Sequence, residues 1–455
     1  MLKKMVLTAL FAGAWASPAA AQEAYPRHWT LQQCIDYAVA HNVQLLKYRA
    51  SEQSAAVNVT EAQAGRLPTL NGTLSQNLTY RPLQESGGNF VNGGIATSAA
   101  DKTVQSGTYG VNASWTVWNG GKTQMNITNA QYNSQLAAYD TETSANSIKE
   151  QIAQLYVQVL YMSEAAKVNR ALLAQDSTIC ARGEEMVKQG KMAKADLAQL
   201  QSQVSQGRYD VVNIQTQIDN AKMQLKQLLE LPASVSFDIA HFDVTDGQVL
   251  QAIPSKSDIY ASALTSRPEV KKSQLAIEQS QLSTKMARSA YYPTVSLQGS
   301  LGDSHMTGTR SSFLNQMRNN FNMAVGVSVS IPIFDNRQTR SAVERAKIAE
   351  ATAQLDLQDT QKGLYQSIET YWLNARNSQA KYLAARDNVS SMQSSYELMS
   401  EQFNVGLKNI AELLTSRANL LSAEQTMLQD KYTALLNRHL LSFYAGEDIS
   451  RLAGH

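Results

Sequence analysis

The chain has 455 residues, with 40 Lys and Arg against 38 Asp and Glu and a formal charge of +2. That near-neutral balance gives no sign of a strongly acidic partner, and no nucleic-acid partner is expected. Two cysteines exclude a disulfide framework, and the six histidines include no pair at metal-ligand spacing on a helix and no nucleophile, acid and base around a glycine-rich elbow. No catalytic, cofactor or metal site is expected, and the chain does not read as an enzyme.

In chain order, Lys3 and Lys4 precede an apolar run from Met5 to Trp15, and Ala19-Ala20-Ala21 follows as a small-x-small cleavage pattern. Residues 1–21 therefore read as a signal peptide, with the mature chain starting near Gln22. No cysteine stands at the cleavage point to carry a lipid anchor. Beyond it, no apolar run is long enough for a membrane-spanning helix. An exported chain of this kind is soluble in the periplasm, secreted, or a β-barrel.

The first repeat, 22–230, opens with Trp29 and Thr30 before a helix over 31–66, which Pro68 ends because the residue before proline is driven to extended backbone. Strands are expected at 69–80 and 108–118, around a loop rich in Gly, Ser and Asn. Helices at 121–189 and 193–230 follow, separated at Gly190. In the second of these, Leu197, Leu200 and Val204, then Val211, Ile214, Ile218, Ala221, Leu225 and Leu228, recur in steps of three and four. That alternation marks a helix packed on other helices. A helix of ~70 residues would be on the order of 100 Å long, which no compact domain requires. Residues 231–255 change texture (Val235, Phe237, Ile239, Phe242, Val244) and read either as a small mixed segment outside the rods or as a loop. The second repeat, 256–446, has a helix at 256–289, strands at 293–302 and 322–333, and helices at 337–404 and 409–445, with 447–455 as a tail. Cys34 and Cys180 fall in different helices and read as small core residues, a bridge between them remaining open.

The two repeats are one unit written twice. Shifted by 225, Ala38, Leu45, Pro68, Thr69 and Ser75 fall on Ala263, Val270, Pro293, Thr294 and Ser300. Shifted by 216, Trp118, Asn119, Thr123, Gly190 and Leu197 fall on Phe334, Asp335, Thr339, Gly406 and Leu413. The difference of 9 residues belongs to the loop of the first half.

The four strands alternate: Leu70, Leu74, Leu78 and Tyr80 oppose Asn71, Thr73, Ser75 and Asn77, and Val325, Val327 and Val329 oppose Ala324, Gly326 and Ser328. A soluble sheet would pack its apolar face on helices. An outer-membrane barrel would turn that face to lipid and the polar face to a wet lumen. Aromatic residues favour the barrel, with Trp115, Trp118, Tyr291, Tyr292 and Phe334 at the helix-proximal ends and Tyr80, Tyr109 and Phe321 at the loop-proximal ends, as two membrane interfaces would have them. Four strands leave unpaired edges, so copies of the chain must pool them. Two copies would give a plugged interior, and three could leave a channel.

The signal peptide, the Trp29-Thr30-Leu31 opening, the duplicated halves, the strand exit Trp118-Asn119-Gly120-Gly121 and the turns Gln189-Gly190-Lys191 and Val405-Gly406-Leu407 together resemble the TolC family of outer-membrane efflux proteins. The resemblance covers the mature chain. It implies a mainly α fold with membrane β, in which a long α-helical barrel continues from a four-stranded contribution to a trimeric 12-stranded outer-membrane β-barrel, as two tandem structural repeats. It implies a homotrimer in outer-membrane lipid, a periplasmic adaptor (membrane fusion) protein docking at the hairpin tips Gly190, Lys191, Val405, Gly406 and Leu407, and an inner-membrane pump of RND or ABC type. The expected function is passive export of small molecules. Type I protein secretion and metal-ion efflux are alternatives, and a periplasmic coiled-coil adaptor is a remote one. The residues matching the family's periplasmic constriction are Glu412, Thr415, Lys408 and Phe403. Thr415 stands where some members carry a second acid, and Phe403 where some carry a tyrosine whose hydroxyl could hold the tip shut. Ser416, Asp430 and Asn437 form a polar line that faces either the lumen or the periplasmic outside.

Overall fold

The computed structural model describes residues 25–82, 89–91, 94–96, 102–309 and 311–450. The expected leader at 1–21 and the end of the tail, 451–455, lie outside the described residues. The first half comprises α1 (Leu31–His41), α2 (Val43–Ala64), β1 (Thr69–Tyr80), a short pair β2 (Asn89–Val91) and β3 (Gly94–Ala96), β4 (Thr103–Trp118), α3 (Lys122–Lys188) and α4 (Lys194–Leu228). After α5 (Asp246–Val249) come α6 (Lys256–Ser266), α7 (Pro268–Ser289), β5 (Thr294–Met306), α8 (Phe313–Asn320), β6 (Asn322–Ser330), α9 (Gln338–Asn404) and α10 (Ile410–Tyr444).

Each helix expected to open a half is two helices. The breaks fall at Asn42 and Arg267, which occupy the same place in the repeat but act through different chemistry. Asn42 is extended (φ −61°, ψ 123°), and its side chain accepts the Gln44 and Leu45 N–H groups while donating to the Leu228 carbonyl at 3.0 Å. Arg267 (φ −71°, ψ 129°) precedes Pro268, whose ring suits the first position of a helix. Helical periodicity continues through both breaks, which is why the pattern alone reads across them. The strands also differ from expectation. β4 starts at Thr103 and β5 runs to Met306, both longer than read, while β6 stops at Ser330. The second loop contains α8, capped by Ser312.

The four long strands form one antiparallel sheet in the order β1-β4-β5-β6, joining the hairpins of both halves. Its register sorts the two faces. One row is Gly72, Val111, Leu301 and Met323, and the next is Leu70, Ala113, Gly299 and Val325. On the opposite face lie Asn71, Asn112, Ser300 and Ala324, then Thr69, Ser114, Gln298 and Gly326. None of the described residues covers the apolar face, with Leu74 77% and Val325 82% exposed. A soluble sheet packed on its own helices is therefore not what these strands make.

α3 and α9 each run 67 residues without interruption, about 100 Å of rod. α4 packs along α3, α10 along α9, and α7 lies between α3 and α9. The main core is a belt part-way down the rods, where Leu31, Ile152, Tyr156, Leu160, Leu225, Ile239, Leu435 and Leu440 are buried together. Residues 231–255 form a strap around that belt, irregular apart from α5 and a parallel bridge between Trp29 and Ile239. The strap is tied to α3 by the Tyr156 hydroxyl donating to the Ala240 carbonyl (2.6 Å) and to α4 by Lys222 against Asp238 (2.7 Å). It is tied to α9 by the Tyr382 hydroxyl donating to Asp246 (2.6 Å). Ile449, from the expected tail, is buried in the same belt. Cys34 lies in this belt and Cys180 in a separate cluster near the tips, and both are free thiols.

His439 on α10 is held neutral by burial and then by Arg438 beside it, which bring its pKa down to about 4. An unfolded imidazole takes its proton near 6.5, so the unfolded chain binds more protons between those values. Stability therefore falls as pH drops from about 6.5 towards 4, by about 2–3 kcal/mol. Thermal melts followed by circular dichroism should show that slope for the natural chain and lose it in His439→Gln.

Candidate functional site

Two regions carry the expected functional residues: the hairpin tips at one end of the rods and the sheet at the other. Both tips end in the same way. Gly190 (φ +70°) and Gly406 (φ +78°) take the left-handed conformation that ends a helix. The following N–H groups, of Lys191 and Leu407, donate back to the Met186 and Gln402 carbonyls at 2.8 and 2.9 Å. Val405 and Leu407 stand 71% and 75% exposed beside Gly406, and Lys191 is also exposed.

Of the expected constriction residues, Lys408 and Glu412 meet and the other two do not join them. Asn409 caps α10 by accepting the Glu412 N–H at 2.9 Å, and its amide donates to Glu412 Oε1 at 3.0 Å. Lys408 Nζ lies 2.5 Å from Glu412 Oε2. The Glu412 carboxylate is thus engaged on both oxygens in closing its own helix terminus. Thr415 turns its hydroxyl back to the Ala411 carbonyl at 2.8 Å. Phe403 packs towards Leu413 in the tip cluster and lines a cavity of about 460 Å³ with Met186, Met192 and Arg182.

The polar contacts between the two hairpins lie further from the tips, on residues whose sequence pattern alone does not mark them. Arg417 Nη2 on α10 is 2.6 Å from Asp176 Oδ2 on α3, with both side chains only 3% exposed. The contact is an ion pair rather than an aligned hydrogen bond, and Arg417 Nε has no hydrogen-bond partner. Burial pushes the Asp176 carboxyl up, and the Arg417 guanidinium opposes it. Gln175 on α3 donates to the Tyr396 hydroxyl on α9 at 2.9 Å, and Gln425 on α10 donates to Asn169 on α3 at 3.0 Å. Tyr396 thus presents a hydroxyl two turns back along α9 from Phe403. Of the Arg417–Asp176 pair the pattern marks burial alone: Arg417 sits four residues after Leu413 and three before Leu420, on the buried line of α10. The line Ser416, Asp430 and Asn437 is half-buried, with Asn437 beside Ser378 of α9. The open line of α10 is instead Thr415, Ala418, Ser422, Thr426, Gln429 and Thr433.

At the sheet, Trp115 Nε1 donates to the Arg66 carbonyl at 2.8 Å, and Trp118 meets Tyr292 edge-on at 6.2 Å. Tyr291 and Phe334 are exposed at the same end, and Tyr80 is exposed at the other. Tyr109 lies within β4 rather than near its start, because β4 is longer than expected. It is opposite Leu74 and Asp303 and stacks on His305 at 5.7 Å. There the apolar rows give way to Gln76, Gly107 and His305. From Trp118 to Tyr109 the strand runs about 30 Å, which a tilt of about 40° reduces to the height of an outer-membrane apolar band. Among the described residues no group of His, Cys, Asp and Glu is placed to hold a metal ion, and no helix is long and apolar enough to cross a membrane.

Long paired rods continuing from an uncovered, two-faced sheet define the outer-membrane channel class of protein. The outer membrane efflux protein family model matches residues 34–230 and 259–447, both repeats, and the chain belongs to that family. It is 23% identical to outer membrane protein TolC of Salmonella enteritidis over 263 residues, 56% of this chain and about half (52%) of that one. It is 22% identical to outer membrane efflux protein BepC of Brucella suis biovar 1 over 409 residues, 86% of this chain and 82% of that one. Among solved structures, CusC superposes with a TM-score of 0.76 at 17% identity, covering 94% of this chain and 96% of that one. The protein is an outer-membrane efflux protein of a Gram-negative bacterium.

Proposed function

We propose that three copies of this chain form a passive duct through which small toxic molecules leave the cell, fed by an RND or ABC pump in the inner membrane through a periplasmic adaptor. The observation that carries this reading is the sheet: four strands with, among the described residues, one apolar face uncovered and both outer edges, on β1 and β6, unpaired. In the order β1-β4-β5-β6 the two edge strands run antiparallel. Head-to-tail addition of copies therefore sets β6 of one against β1 of the next without breaking the alternation, and closes into a ring. The exposed Val405 and Leu407 at the tip, with Gly190, Lys191 and Gly406, are the surface we assign to the adaptor, since apolar residues gathered at an exposed end mark interaction sites.

In this reading the periplasmic entrance is closed while α3 stays packed on α9 and α10, with the polar contacts of Asn169, Gln175 and Asp176 at that seam. They are polar, so water can replace them when the hairpins separate. Glu412 is the acid nearest the tip on α10, and Lys408 answers its charge.

The experiment is extraction from outer membranes followed by conductance in planar bilayers. A heat-dissociable trimer forming weakly cation-selective channels is expected. Lys408→Gln should increase the cation preference and Glu412→Gln should remove it, read from reversal potentials in a salt gradient. A folded, water-soluble monomer would end the reading.

A further inference from the structure

Where the sheet hands over to the rods, two belts lie one above the other. The first is aromatic and exposed: Trp115, Trp118, Tyr291, Tyr292 and Phe334. The second, on the rod side, is cationic and exposed: Arg66, Lys122, Arg288, Arg337 and Arg340. These cations come from the ends of α2 and α7 and the starts of α3 and α9, and the fold gathers them. The Arg66 guanidinium donates to Gln124 in the first turn of α3. Gly120 lies so close to the Ser289 carbonyl and Tyr292 that the start of α3 is set beside the end of α7.

The local acids do not neutralise this belt. Asp335 accepts the Thr339 N–H at 2.8 Å, closing the first turn of α9. Glu344 answers Arg340 at 3.1 Å and Arg337 at 3.6 Å. Arg66, Lys122 and Arg288 have no carboxylate partner among the described residues. The N-termini of α3 and α9 end at this level too, and their dipoles add positive potential.

We propose that this junction is a binding site for the phosphate headgroups of anionic glycerophospholipids in the periplasmic leaflet, an inference that rests on the membrane-barrel reading above. Tryptophan and tyrosine settle at headgroup depth, so cations directly below them meet phosphate rather than acyl chain. Guanidinium forks match phosphate oxygens. A zwitterionic lipid brings its own ammonium and gains less. The site fixes how deep the sheet sits and keeps the rods clear of the bilayer.

The tryptophans provide the readout. Trp29 is buried in the belt part-way down the rods, and Trp372 on α9 donates to the Pro254 carbonyl of the strap. Bromine carried by lipid therefore quenches Trp115 and Trp118 selectively. The extracted protein is reconstituted in phosphatidylcholine vesicles containing either brominated phosphatidylglycerol or brominated phosphatidylcholine. At low salt, half-quenching is expected at an about fivefold lower fraction of the charged lipid, the factor for one engaged cation. The advantage should disappear at ~0.5 M salt. The combined variant Arg66→Gln, Lys122→Gln, Arg288→Gln should lose it while quenching in wholly brominated lipid stays unchanged, and Arg66→Lys, Arg288→Lys should keep it. Equal quenching by the two lipids at low salt overturns the headgroup site and leaves the barrel standing. No quenching by either lipid overturns the barrel reading itself.

Discussion

Asp176→Ala is expected to cost about 3–5 kcal/mol at the periplasmic end, because it strands the Arg417 guanidinium in a site where only 3% of the side chain reaches solvent. The cheapest relief is for α10 to part from α3 until water reaches Arg417. Larger single-channel conductance than the natural chain is the expected result, and Arg417→Ala should give the same by leaving Asp176 alone. Replacing both together, Asp176→Leu with Arg417→Met, removes the charges and their desolvation at once. A buried pair exchanged for packed apolar groups is often neutral or stabilising by about 1–4 kcal/mol. The double variant should therefore conduct no more than the natural chain. Conductance as high as in the single variants would show that the ion pair itself, and not the stranded charge, sets the closed state.

Gly120→Val should cost about 3–4 kcal/mol, the sum of left-handed strain and overpacking. A Cβ at Gly120 (φ +66°) would lie 2.8 Å from the Ser289 carbonyl oxygen and 3.1 Å from Tyr292 Cβ. The first of these is backbone and cannot swing aside. Gly121 provides the control one residue away. Its φ is +79° but no atom lies within 4 Å of its Cβ position, so Gly121→Ala pays only the conformational strain, about 1–2 kcal/mol. The temperature at which the oligomer dissociates in detergent should fall clearly in the first variant and slightly in the second. Equal falls would mean that the approach of α7 to the strand exit does not matter.

Most of the architecture was legible in the residues because it is local or periodic. A three-four spacing of Leu and Val needs no partner to specify a helix. Gly190 and Gly406 end helices through their own backbone freedom, and the prolines at 68 and 293 stop them through their own rings. Alternation along the strands likewise sorted the two faces before any neighbour was known. The break at Asn42 is not written in the pattern, because Asn42 caps from within a continuous periodicity and takes part of its support from the Leu228 carbonyl, far away in sequence, whereas the break at Arg267 has a local mark in Pro268.

The sequence by itself determined the repeat, the length of the rods, the turns and the two-faced strands. Only the tertiary structure decided which polar groups hold the hairpins together, that Glu412 is occupied by Lys408 and Asn409, that Tyr109 marks the edge of the apolar rows, and that five cations from four helix ends share one level. The reason is physical. Secondary structure follows from each residue's own backbone and the spacing of its apolar neighbours. Charges and hydroxyls act on whatever the fold brings within a few ångströms, and that distance is written nowhere along the chain.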